Sequence, residues 1–154
     1  MENENKTENT QAPTPREEAQ ATIIEAIRHR LERTLEEIAA WNADTFPTAS
    51  QAGQLMKLEE ELREYSEAEQ ADKDKELADV VIVCAGLRRW SSFIGQHMLA
   101  MVLAGANTSQ VNLLLDLIDD KMAKNRARVW KQDGEGKYHH EEKPANANGE
   151  DVPA

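Results

Sequence analysis

One stretch of the chain, VVIVCA at 80–85, is apolar on every side, so the element that carries it has to be buried on every side. A β-branched run this short suits a buried strand as well as a buried helix. No second strand candidate exists to pair with it, and Glu76, Leu77 and Leu87 flank it at helical spacing. The run is therefore read as part of a central helix, with the rest of the chain supplying the helices that cover it. At 154 residues the chain is a prior for one domain. A mean hydropathy of -0.71 leaves that domain only a modest core.

The covering helices show as apolar residues three and four apart. A first helix is expected over 16–42, opened by Thr14 or Pro15, with Ile24, Ile27, Leu31, Leu35 and Ile38 as its stripe and Trp41 near its end. NADTFPTAS reads as a loop, and a second helix follows over 51–69 with Leu55, Leu58, Leu62 and Tyr65 as its seam. The third spans 73–103, with Ser91, Ser92 or Gly95 as places for a break. GANTS forms a loop in which Asn107 or Thr108 caps a last helix over 109–130. The fold class is all-α, a four-to-five-helix bundle over 16–131. Residues 1–15 are expected to be a disordered tail, and 132–154 an extended segment followed by another.

The bulk numbers narrow the partners. A net charge of -11 argues against nucleic acid, and no apolar run approaches the roughly 20 residues of a membrane span. The start, MENENKTENT, lacks the basic-then-apolar pattern of a signal peptide. Cys84 is the single cysteine, and with four scattered histidines it offers neither a disulfide nor zinc-ligand spacing. It is read as a small core residue. The expectation is a soluble cytoplasmic protein.

Residues 58–79 carry ten acidic side chains. On a helical wheel Glu76 falls in the sector of Val80, Val83, Cys84 and Leu87, and Asp79 sits at its edge. On the second helix Glu61 lies about 40° from Tyr65, with Glu64 on the same flank. Two i, i+3 pairs, Glu61/Glu64 and Glu76/Asp79, thus meet the core on helices that a short turn makes antiparallel neighbours. Converging carboxylates repel, and each is costly to desolvate, unless a cation joins them. Mg²⁺, which takes hard oxygen ligands and keeps positions for water and phosphate, resolves both problems, with Mn²⁺ as a substitute. Glu59, Glu67 and Glu69 are read as a solvated face.

The last helix supplies the opposite charge. KMAKNRARVWK holds five basic residues and no acidic one. Lys124, Arg126 and Lys131 fit ordinary cation placement near a helix C-terminus. Lys121, Asn125 and Arg128 instead continue the inward line of Leu114 and Ile118, where they offer a polyphosphate its cations and an amide donor.

These residues resemble the MazG-type family of all-α nucleoside triphosphate pyrophosphohydrolases, whose pattern is EExxE on one helix and ExxD on the next. Here the motifs stand as Glu60-Glu61-Leu62-Arg63-Glu64 and Glu76-Leu77-Ala78-Asp79. KLEEELREYSEA, KELADVVIV, KMAKNRARVW, the lead-in Trp41…Phe46-Pro47 and DGEGKYHH are also similar, so the likeness covers about residues 20–140. It implies cleavage of a nucleoside triphosphate between the α and β phosphates, giving the monophosphate and pyrophosphate. It implies Mg²⁺ on Glu61, Glu64, Glu76 and Asp79, with Glu60 a second-metal ligand or proton acceptor. Lys121 and Asn125 match phosphate-holding positions, joined by Arg128. The general base stays open among Glu60, Glu61 and a hydroxide on the metal. A homo-oligomer, dimer or tetramer, is implied, with sites near the subunit interface. The segment Leu87 to Leu117 is longer than in shorter members, and lengthens the interface or shapes the base pocket.

Trp41, Trp90, Trp130 and Tyr138 are candidates to stack on a base, each also fitting as a core residue, and His139 and His140 are assigned to the tail, with capping of the site as the alternative. Two further enzyme readings keep the fold: a dimeric dUTPase-like and a phosphoribosyl-ATP-type hydrolase. A non-catalytic helical interaction module is the reading from another class. A di-iron carboxylate bundle needs paired Glu-x-x-His ligands, which the sequence lacks.

Overall fold

The computed structural model describes residues 12–90, 100, 104, 106–132 and 136–140. The expected tails at 1–11 and 141–154, and most of the third helix's extension beyond Trp90, lie outside the described residues.

Among the described residues four helices pack together: α1 (Pro15–Thr45), α2 (Gln51–Glu67), α3 (Lys73–Leu87) and α4 (Thr108–Ala127). Local chemistry explains where they start. Thr14 and Glu17 form a capping box, the hydroxyl accepting from Glu17 N and the carboxylate from Thr14 N, with Pro15 at the first helical position. Ser50 Oγ accepts from Gly53 N at 2.9 Å to open α2. Asn107 and Gln110 repeat the box on α4. The apolar run does what its composition requires: α3 packs against α1, α2 and α4, and every residue from Val80 to Leu87 is buried. Leu35 and Ile38 of α1 and Leu114, Ile118 and Met122 of α4 close over it. Arg30 fastens α1 to α4 through Asp116 (2.7 Å) and Asp119 (2.8 Å).

Several expectations need correction. All-α is too narrow, because a two-stranded antiparallel hairpin follows α4: β1 (Trp130–Gln132) pairs with β2 (Tyr138–His140), Lys131 opposite His139. The last helix therefore stops at Ala127 rather than 130. Arg128 turns extended, and the Trp130 indole N–H donates to Asn125 O at 3.0 Å, satisfying a carbonyl that the ended helix leaves open. The third helix ends at Leu87, and residues 88–90 form a turn. There Arg89 donates to Phe46 O and Pro47 O, both at 2.9 Å. The first helix runs on to Thr45, so Asn42 and Asp44, expected in a loop, are helical. The seam of α2 is also different. Leu55 and Leu62 are each 39% exposed, and the buried residues are Gly53, Leu58 and Glu61. Ile24, expected at the head of α1's stripe, is exposed too. No helix among the described residues is long and apolar enough to cross a membrane.

The hairpin is fixed in place by the α1–α2 corner. Thr48 Oγ1 lies 2.6 Å from the Tyr138 hydroxyl and donates to Gln132 Oε1 at 2.8 Å, while Ser50 N donates to Gly136 O at 3.3 Å. Gly53 makes room for this. A Cβ there would sit 2.7 Å from Gly136 O, so only a glycine lets the hairpin's backbone lie on α2. Gly136 itself has φ 81°, the left-handed region.

Candidate functional site

The helices and the hairpin enclose a cavity of about 840 Å³. Its acidic end is made by two helices running antiparallel, the early part of α2 beside the late part of α3 and the reverse. Glu61, Glu76 and Asp79 each bring a carboxylate oxygen to within 4.8 Å of the others. Glu64, expected as a fourth ligand, lines the same cavity but stands outside that close group. The wheel placed Glu76 furthest inward. Instead Glu76 is half-buried and Glu61 is the buried one, at 6% exposure. The rotation of α2 that exposes Leu55 and Leu62 is what carries Glu61 inside.

Lysines surround the carboxylates. Lys57 Nζ lies 2.7 Å from Glu61 and 3.4 Å from Glu60, Lys137 lies 2.8 Å from Glu60, and Lys121 forms a close ion pair with Asp79. Burial pushes the Glu61 carboxyl up from its ordinary value, further than Lys57 pulls it down, and the charges of Asp79 and Glu64 add to the rise. Asp79 is pushed up in the same way, burial outweighing Lys121. Glu60 moves in the opposite direction, its hydrogen bond from Lys137 being the largest cause. Burial works to depress Lys57, but Glu61 and Glu60 more than offset it and hold the ammonium up.

α4 brings Lys121 and Asn125 to the cavity as expected, Lys121 directly against Asp79. Asn125 is buried, and Arg128, though exposed, donates to its Oδ1 at 2.9 Å. Lys124 and Arg126 point to solvent. Trp41, Trp130 and Tyr138 line the cavity around Phe46, with centroid separations from Phe46 of 5.2, 5.1 and 4.7 Å. They pack edge-on or tilted against Phe46, so the stacking candidates are also the aromatic core that seats the hairpin. Trp90 packs on the main core instead. His139 and His140, assigned to the tail, lie on β2 and line the cavity. Cys84 is fully buried, its thiol pushed up to about 11 by that burial, as a core residue should be.

Sequence reasoning missed four polar residues of this cavity. Lys57 was legible, because it stands four residues before Glu61. Lys137 reaches Glu60 only because the hairpin folds back. Asn42 and Gln54 were hidden by the loop assignment and by the misplaced seam. Three oxygen donors this close, partly desolvated, suit a hard divalent cation, and the donor set fits Mg²⁺ better than a soft metal. No protein-family model, curated protein or solved structure matches the chain.

Proposed function

We propose that the protein is a Mg²⁺-dependent nucleotide pyrophosphohydrolase of the MazG type, cleaving a nucleoside triphosphate to the monophosphate and pyrophosphate. One observation carries the reading: three carboxylates from two neighbouring helices meet within 4.8 Å, in a cavity also lined by Lys121, Asn125 and Arg128. Glu61, Glu76 and Asp79 would hold Mg²⁺, with Glu64 beside them. Bound there, the ion supplies Lewis-acid polarisation of the phosphate oxygens. Lys121, freed from Asp79, and Arg128 neutralise charge as it grows on the leaving group, and Asn125 orients the phosphates. A water adds to the α-phosphorus, the bond from that phosphorus to the bridging oxygen breaks, and pyrophosphate leaves with the electron pair. A carboxylate of the Glu60/Glu61 pair receives the water's proton. The hairpin, held over the cavity by Gly53 and Thr48, helps exclude bulk water.

We also propose that the chain works as a homo-oligomer. Leu55, Met56 and Leu62 expose an apolar strip on the side of α2 away from the cavity, which a second copy would cover. The non-catalytic reading has its own support, since Glu60, Glu61 and Asp79 already have lysine partners and could be a purely structural ion-pair network. The test is incubation of the full chain with a panel of ribo- and deoxyribonucleoside triphosphates and Mg²⁺, with separate detection of pyrophosphate and orthophosphate. Pyrophosphate and monophosphate in equal amounts are expected. Orthophosphate alone, or no release, would overturn the reading in favour of the structural network.

A further inference from the structure

We propose that Asn42, with Gln54 beside it, selects the base of the bound nucleotide by accepting a hydrogen bond from an N–H on the edge of the ring. This rests on the nucleotide reading above for the phosphate end and adds a ligand-recognising subsite at the other.

Asn42 sits near the end of α1, on the cavity wall and only 4% exposed. Its Oδ1 is buried and accepts no hydrogen bond among the described residues. A buried amide oxygen is rarely left so, because it has lost its water without replacement. The surroundings are built to hold the amide there. Gly86 of α3 has no side chain at the point where Asn42 Nδ2 and Gln54 Nε2 converge: a Cβ would meet them at 2.8 and 2.9 Å. Gln54 Nε2 also donates to Val83 O at 3.3 Å, so the second amide is anchored on the same helix. Two carboxamides from two helices therefore meet over a glycine of a third, and one of them keeps an acceptor free.

The spacing fits a nucleotide. Gln54 precedes Glu61 by seven residues on α2, and Gly86 follows Asp79 by seven on α3. At the helical rise both offsets are about 10 Å, so two helices independently place the amides one sugar-and-base length from the carboxylates. Trp41, Phe46, Trp130, Ile82 and Val83 give the same cavity an apolar, largely aromatic lining. Such a lining takes an apolar ring system, with the amides left to fix its orientation. Side-chain amides are well matched to base edges, which carry donors and acceptors at the same spacing. The free oxygen here demands that the edge present a donor.

The test reads the two ends separately. Tryptophan fluorescence of the full chain is titrated with cytidine, uridine, adenosine and guanosine in EDTA, so that neither phosphate nor metal contributes. The wild type should prefer its best nucleoside over its worst by about tenfold or more. All four bases carry an N–H donor but at different positions on the edge, and a fixed acceptor is left unpaired by a misplaced one. Asn42→Leu should collapse that ratio. The same ratio, read as kcat/KM over the matching triphosphates with Mg²⁺, should collapse through KM. Gln54→Leu, at a half-buried position, should lower it as well, and keeps the test open if Asn42→Leu does not fold. A wild type without selectivity, or variants that keep it, would overturn the assignment of Asn42 even where pyrophosphate is released. Nucleoside selectivity that the variants lose, in a protein that cleaves no triphosphate, would uphold the base subsite and remove the hydrolysis reading instead.

Discussion

Helices α2 and α3 lie side by side, yet they bury opposite chemistries. On α3 the buried residues are Ala78 and the run Val80 to Leu87, all apolar or glycine. On α2 they are Gly53, Leu58 and Glu61, with Lys57, Glu60 and Glu64 half-buried, while Leu55, Met56 and Leu62 face outward. The difference separates two tasks within one bundle. α1, α2 and α4 all pack on α3, but α2 brings it mainly Leu58 and Tyr65 and otherwise serves as the wall of a polar cavity. A helix that turns its leucines out and a glutamate in has been placed by something other than the core.

The largest effect should therefore lie away from α2. Ile118→Ala, at a fully buried position of α4 against α3, should cost about 2–5 kcal/mol in urea unfolding. Leu62→Ala should change stability by less than about 0.5 kcal/mol in dilute protein, as an exposed residue does. Equal costs would mean that the outer face of α2 carries as much stability as the packing of α4 on α3. A Leu62→Ala penalty that grows with protein concentration would show that the outer face of α2 is covered by a second copy.

Next comes the buried glutamate itself. Glu61→Gln keeps the size and removes the charge, so pyrophosphate release should fall at least a hundredfold, since altering even the partners of a metal's ligands costs about 10–100-fold. The thermal shift produced by Mg²⁺ should shrink with it. A variant that keeps both would make Glu61 a member of a structural ion-pair network and α2 an ordinary, if poorly packed, helix.

How far this division was legible in the sequence depends on what sort of contact makes it. The central helix was legible because an all-apolar run has few places to go, and the helix starts were legible because capping residues act locally. Glu61, Glu76 and Asp79 could be brought together from spacing and one short turn. The seam of α2 could not. Leucines at helical spacing point to a core unless something stronger turns the helix, and here that is the packing of Gly53 under the hairpin and of Glu61 beside Asp79. The hairpin was equally hidden. DGEGK carries turn chemistry, but two three-residue strands persist because Trp130 and Tyr138 find Phe46, ninety-two positions before Tyr138, and because Thr48 and Ser50 hold the hairpin to the α1–α2 corner. Asn42 was lost for a related reason, since turn formers after Trp41 masked the last turn of α1.

That dependence on one glycine gives the third expected effect. Gly53→Ala places a Cβ 2.7 Å from Gly136 O, against backbone that cannot swing aside as a side chain would. The cost should be about 1–3 kcal/mol, and tryptophan fluorescence should shift as Trp130 loses its packing. An unchanged spectrum and stability would mean that the hairpin is not seated on α2, and the cavity would lose its roof.

The smallest effect reads the comparison within two adjacent residues. Glu61 is raised above its ordinary 4.5 by burial, so in metal-free protein the folded state holds that proton more tightly than the unfolded state. Its contribution is fully present below 4.5 and is lost as pH rises through the raised value. Glu60 is lowered from the same 4.5, chiefly by Lys137, so its contribution is present above 4.5 and lost as pH falls through the lowered value. Thermal melts in EDTA, from acid to neutral pH, should therefore separate the two glutamines. Glu61→Gln should melt at or above the wild type near neutrality, the gap closing as pH falls toward 4.5. Glu60→Gln should melt slightly below it there, by under about 1 kcal/mol for a half-exposed ion pair, with its gap closing only below 4.5. Mg²⁺ should reverse the first sign and leave the second, because a ligating carboxylate has to be ionised while Glu60 is already held so. Two variants that shift in the same direction would mean that α2 does not divide its carboxylates between an inner and an outer role.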